Sequence, residues 1–188
     1  MTLVTIPEPL DAPEFLRTLP EGARIFHTQP ADNSFQVLGF PQVDYGTLTK
    51  EDVVLVPSDP LERLRVIVEL LLSPAGCPWD REQTSMSLRH PLLNEAYEAI
   101  EAIESGEDEA IREELGDLLL QPVLQSAIAA RRGAFDLNAV AAELAEKLIR
   151  RHPHVFGDVE VSGTSEVMQN WRRIKQEEGR ESRLDGVP

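Results

Sequence analysis

The stretch REELGDLLLQPVL, Arg112 to Leu124, decides how this chain is read. Residues three apart are neighbours on a helix surface, so Glu114 and Asp117 share a face. That face runs directly into Leu118, Leu119 and Leu120. If the leucines continue it, two carboxylates point towards a core, where an unpaired charge is costly. A salt bridge, protonation or a metal ion would relieve that cost. Gly116 between them lowers helix stability by up to about 1 kcal/mol relative to Ala; one use of it is close approach by a neighbour or a ligand.

Working outward, the stretch sits in a helix expected from about Glu109 to Arg132, stopped by Gly133 and kinked or deprived of a hydrogen bond at Pro122. The turn SGED (105–108) precedes it. Before that turn, a helix from about Pro91 to Glu104 carries the apolar stripe Leu92, Leu93, Ala96, Ala99, Ile100 and Ile103. Asp59-Pro60 forms an N-cap and first helical position for an earlier helix, with Leu61, Leu64, Ile67, Val68, Leu71 and Leu72 apolar. SPAGCPWD (73–80) reads as a loop. Asp136 caps a helix to about Arg151, HPHVFGD breaks it, and a last helix spans about Ser165 to Glu178. ESRLDGVP reads as a frayed tail. The expected fold class is all-α, a helical bundle covering residues 58–188. Residues 1–57 form a partly extended N-terminal segment, with strand-like runs at 23–28, 35–40 and 52–57.

The bulk composition narrows the function. The 188 residues suffice for one domain with a real core. The 33 acids against 18 bases, a net charge of −15, disfavour binding to nucleic-acid backbones. No apolar run is long enough to span a membrane, and the first residues lack the basic region of a signal peptide. The single cysteine, Cys77, excludes an internal disulfide and a cysteine-rich zinc site, and its place between Gly and Pro suits loop packing. A cytoplasmic protein is expected.

Glu95 and Glu98 repeat the three-residue spacing of Glu114 and Asp117 on the preceding helix. The short turn makes the two helices neighbours, so the pairs can face each other. Four facing carboxylates repel unless a cation sits among them, and oxygen-only ligands select Mg²⁺ or Mn²⁺. The bland alternative is a solvated acidic face, since Glu101, Glu104, Glu107 and Glu109 lie nearby.

Five segments in order, GCPWDREQT (76–84), NEAYEAIEAI (94–103), REELGDLLLQ (112–121), EKLIRRHPHVFGD (146–158) and NWRRIKQEE (170–178), closely resemble the MazG family of nucleoside triphosphate pyrophosphohydrolases. The resemblance covers roughly two-thirds of the chain, from about residue 59. It implies an all-α, dimeric fold of the NTP pyrophosphatase type that hydrolyses NTPs to NMP and pyrophosphate with Mg²⁺. The family's metal motif, E-E-x-x-E followed by E-x-x-D, falls on Glu95, Glu98, Glu114 and Asp117. Its first acid is Asn94 here, which supplies no charge and leaves a degenerate, nucleotide-binding scaffold as the alternative. A plain helical interaction module, its acids serving solubility, is the other rival. The resemblance also makes Lys147, Arg151 and Lys175 phosphate contacts and Trp171 a stacking or wall residue. Trp79, Asp80 and Gln83 are further candidates for the nucleotide pocket. Glu98 is the expected catalytic base. Solvated Lys and Arg and a core Trp are the alternatives at those positions, while His152 and His154 suit a helix terminus better than a metal pair. Residues 1–57 resemble the connecting region of members fused to a tetrapyrrole-methylase-like domain, but the glycine-rich methyl-donor site is absent and no methyltransferase activity is expected. SRLDGVP resembles the start of a linker to a second copy.

Overall fold

The computed structural model describes residues 1–6, 15, 17–22, 24–27 and 42–178. The strand-like run at 35–40 and the tail at 181–188 lie outside them. The chain forms two compact units, Met1–Ala134 and Phe135–Pro188. Seven α-helices dominate the described residues, as the helical periodicity from Asp59 onward anticipates. The change of composition near residue 58 falls inside the first unit.

Three short strands open that unit: β1 (Thr2–Thr5), β2 (Ile25–His27) and β3 (Val53–Val56). They pair in parallel in the order β1-β3-β2. A central parallel strand is covered on both faces and reads as a continuous apolar run, and VVLV is buried throughout. Alternation then divides its side chains. Val53 and Leu55 pack with Ile6 and Phe15 on one face. Val54 and Val56 pack with Leu48 and with Val66 and Leu70 of helix α1 (Pro60–Leu72) on the other. Each such side chain contributes about 1.5–3 kcal/mol on full burial. The described strands of the N-terminal segment therefore form a small parallel sheet, joined through β3 to the helices.

Asp59 caps α1 by accepting from the Glu62 N–H at 2.8 Å, with Pro60 in the first turn. The sheet-facing side of α1 is Val66 and Leu70, whereas Leu61 and Leu71 of the expected stripe are exposed. An helix apolar around most of its circumference does not reveal which side meets the sheet. SPAGCPWD is not wholly loop, because α2 (Pro78–Glu82) begins within it, started by Pro78. The turn into α2 is tight. A Cβ on Gly76 would lie 2.2 Å from the carbonyl oxygens of both Leu70 and Leu71. Gly76→Ala is expected to destabilise the first unit by about 1–3 kcal/mol or more, read as a fall in urea midpoint; an unchanged midpoint would show that the turn can open.

Helices α3 (Arg89–Ser105) and α4 (Asp108–Arg131) follow. Gly106 ends α3 in the left-handed conformation, φ 74°, which glycine adopts without a steric cost. With only Gly106 and Glu107 between them, the two helices pack as a hairpin. Small residues, Ala99 and Ala102, are the buried positions of α3. Leu92, Leu93, Ile100 and Ile103 of the expected apolar stripe are exposed. Pro122 sits within α4 without ending it, and its carbonyl accepts from Ser126 Oγ at 2.7 Å.

The second unit contains α5 (Leu137–Arg151), α6 (Pro153–Phe156) and α7 (Thr164–Glu177). Asp136 caps α5 through the Ala139 N–H at 2.8 Å. None of its three helices contains a fully buried residue.

Candidate metal and nucleotide site

The hairpin brings the two acid pairs together. Carboxylate oxygens of Glu95, Glu98 and Glu114 lie within 4.8 Å of one another. Asp117 is close enough for its charge to act on both Glu95 and Glu114. Glu114 answers the question posed by its sequence neighbours: its Oε2 is fully enclosed and has no hydrogen-bond partner. Asp117 is exposed, as is Leu119, while Leu118 and Leu120 are half-buried. Of Glu114 and Asp117, only Glu114 therefore turns inward.

Electrostatics follows from this geometry. Burial, and then the charges of Glu98 and Asp117, push the Glu114 carboxyl above its ordinary range. Burial, and then Asp117 and Glu98, do the same to Glu95. No base of the described residues forms an ion pair with any of the four. A hard divalent cation fits this set: its donors are all oxygen, three converge, and one is enclosed without a partner. A Cβ on Gly116 would meet nothing within 4 Å, so close approach within the described chain does not require this glycine.

The profile of the MazG nucleotide pyrophosphohydrolase domain matches residues 83–156, which include both acid pairs. The crystal structure of a mazG-related protein from Thermotoga maritima superposes with a TM-score of 0.53 at 30% identity, covering 61% of this chain and 98% of that one. The chain belongs to the MazG family. It is similar to the nucleoside triphosphate pyrophosphohydrolase/pyrophosphatase MazG of Thermotoga maritima, 52% identical over 117 residues, covering 62% of this chain and 44% of the relative. It is also 42% identical over 133 residues to the nucleoside triphosphate pyrophosphohydrolase of Escherichia coli K12, covering 68% of this chain and 51% of the relative. The chain thus spans about half the length of these curated relatives.

The remaining residues singled out in this MazG chain fall into two groups. In the first unit, Trp79 is exposed on α2 and Asp80 is half-buried in the same turn. Gln83 is already engaged, its Nε2 donating to Trp79 O at 2.9 Å and its Oε1 accepting from Ser87 Oγ at 2.7 Å. In the second unit, Lys147 and Arg151 lie on α5, Trp171 and Lys175 on α7. The Arg151 guanidinium stands 5.2 Å from the Trp171 ring centre and the Lys175 ammonium 5.7 Å from it. Such placements are cation–π contacts. His152 caps α5, with its Nδ1 2.6 Å from Leu148 O, and its ring centre is 5.7 Å from that of His154.

Glu178 was not singled out by the sequence. It accepts from Nε and Nη2 of Arg151 and from Nε of Arg150 at 2.7 Å, holding both guanidinium groups from the end of α7. Hydrogen bonds from Arg151, then Arg150, lower its carboxyl from 4.5 to about 2. A folded value below the unfolded one means stability present above about 4.5 and lost as pH falls towards about 2. The second unit is therefore expected to weaken over that window, followed by circular dichroism in urea. Glu178→Gln should flatten this acid dependence; an identical slope in the variant would remove Glu178 as its source.

Proposed function

We propose that this MazG domain is a Mg²⁺-dependent nucleoside triphosphate pyrophosphohydrolase that cleaves NTPs to the monophosphate and pyrophosphate, serving to clear nucleotides from the cellular pool in the cytoplasm. The observation that carries the reading is the partnerless, enclosed oxygen of Glu114 among the converging acids of α3 and α4. The names of the relatives support the same reaction class.

Glu95, Glu98, Glu114 and Asp117 would hold the cation, for which Mn²⁺ is a chemically equivalent occupant. When bound, it supplies charge neutralisation for phosphate oxygens and for the leaving pyrophosphate. Glu98, exposed at the edge of the cluster, would take the proton of the water that attacks the α-phosphorus. The P–O bond to the β-phosphate breaks as the new one forms, and no covalent enzyme intermediate is needed. Lys147, Arg151 and Lys175 are proposed as phosphate contacts and Trp171 as a base-stacking or wall residue; Trp79, Asp80 and Gln83 are proposed to line the nucleotide pocket. Asn94, exposed beside Glu95, leaves four acids for the cation.

The functional unit is proposed to be a homodimer. Leu93, Tyr97 and Ile100 recur at i, i+4 and i+7 on α3 and are 51%, 59% and 49% exposed. An apolar stripe of this kind without a cover marks an association surface.

Incubating the chain with each NTP and Mg²⁺, and measuring monophosphate and pyrophosphate, tests the reaction. Equimolar products are expected. Orthophosphate without pyrophosphate would contradict the reaction type, and nucleotide binding without turnover would leave the scaffold reading.

A further inference from the structure

Away from the carboxylate cluster, the first unit contains a cavity of about 500 Å³, a volume typical of small-molecule sites. The 3-10 turn Tyr45–Thr47, α1 and the last turns of α4 border it. Leu72, Ala127 and Ala130 give it apolar walls, and Tyr45, Glu69 and Arg131 contribute polar groups. These polar groups are not equivalent. The Glu69 carboxylate is already paired with Arg65 at 2.6 Å and accepts from the Tyr45 hydroxyl. Burial, then that bond, raise the Tyr45 hydroxyl well above its ordinary range, so it stays neutral. Arg131 forms no ion pair among the described residues. It also lines an adjoining cavity of about 270 Å³ together with Arg81 and Glu82.

A largely apolar pocket whose lining carries one charge without an ion-pair partner, the exposed Arg131, selects for shape and for sign. We propose that this cavity is a second ligand site, taking a small organic monoanion. Its aromatic or aliphatic body would lie against Leu72, Ala127 and Ala130, and its carboxylate would meet Arg131. Guanidinium is suited to this, because it can grip both oxygens of a carboxylate. Glu69 is not free to hold a cationic ligand, being engaged by Arg65 and by the Tyr45 hydroxyl. The site does not depend on the hydrolytic reading.

Calorimetric titration of the full chain with 1-naphthoate and with the neutral 1-naphthamide tests the proposal. The acid should bind at least tenfold more tightly than the amide. Arg131→Gln should abolish that preference, and Ala127→Leu, which fills the chamber, should weaken naphthoate binding at least tenfold. Equal affinities for acid and amide, no binding at millimolar concentration, or unchanged naphthoate binding in either folded variant would overturn it. Arg131 is exposed, so its variant remains decisive if the Ala127 change disturbs folding.

Discussion

Glu114→Ala is expected to reduce pyrophosphate release by about a thousandfold or more, equivalent to at least about 4 kcal/mol of lost transition-state stabilisation. The reason is positional. Glu114 supplies the enclosed oxygen of the acid cluster, and without it the remaining carboxylates cannot close round a cation. Asp117→Ala should act in the same direction, since its charge reaches both Glu95 and Glu114. Folding should survive. In the metal-free chain Glu114 is an unpartnered acid beside like charges, and truncating it removes repulsion. Melting temperature without metal should therefore hold or rise, while the rise expected from saturating Mg²⁺ and nucleotide in the parent should disappear. Turnover within tenfold of the parent would place the chemistry elsewhere.

Ile100→Asp is the second large expectation. The stripe Leu93, Tyr97 and Ile100 is apolar and about half exposed, and the proposed dimer would cover it. Placing a charge on this stripe should weaken self-association by ~30-fold or more, corresponding to about 2 kcal/mol for a buried interface position. Sedimentation equilibrium would show dimer for the parent and monomer for the variant at the same micromolar concentration. A parent that is monomeric there would refute the proposed dimer and leave the stripe open to another partner.

The helices and the approach of the acids to one another were legible because both depend on local rules. Capping by Asp59 and Asp136 and the glycine stop at Gly106 act within a few residues. The three-residue spacing of Glu95 with Glu98 and of Glu114 with Asp117, plus a short turn, suffices to bring those acids near each other. What escaped depends on distant partners. Thr2–Thr5 pairs with Val53–Val56 from about fifty residues away, and so short a run carries no strand signal of its own. Periodicity marks Leu93 and Ile100 as apolar but does not say whether a neighbour covers them. Glu178 lies 27 residues from Arg151 in sequence, and its ion pair leaves no local pattern. Of the two uses suggested for Gly116, close approach by a neighbour or by a ligand, the first is not met by any described residue.

Titrating the metal-free chain with Mn²⁺, and following the free ion by electron paramagnetic resonance, addresses the carboxylate cluster itself. Stoichiometric loss of the free-ion signal is expected, displaced by excess Mg²⁺ and absent in Glu114→Ala. A free signal that rises from the first addition, or equal binding by the variant, would contradict a cation held between α3 and α4.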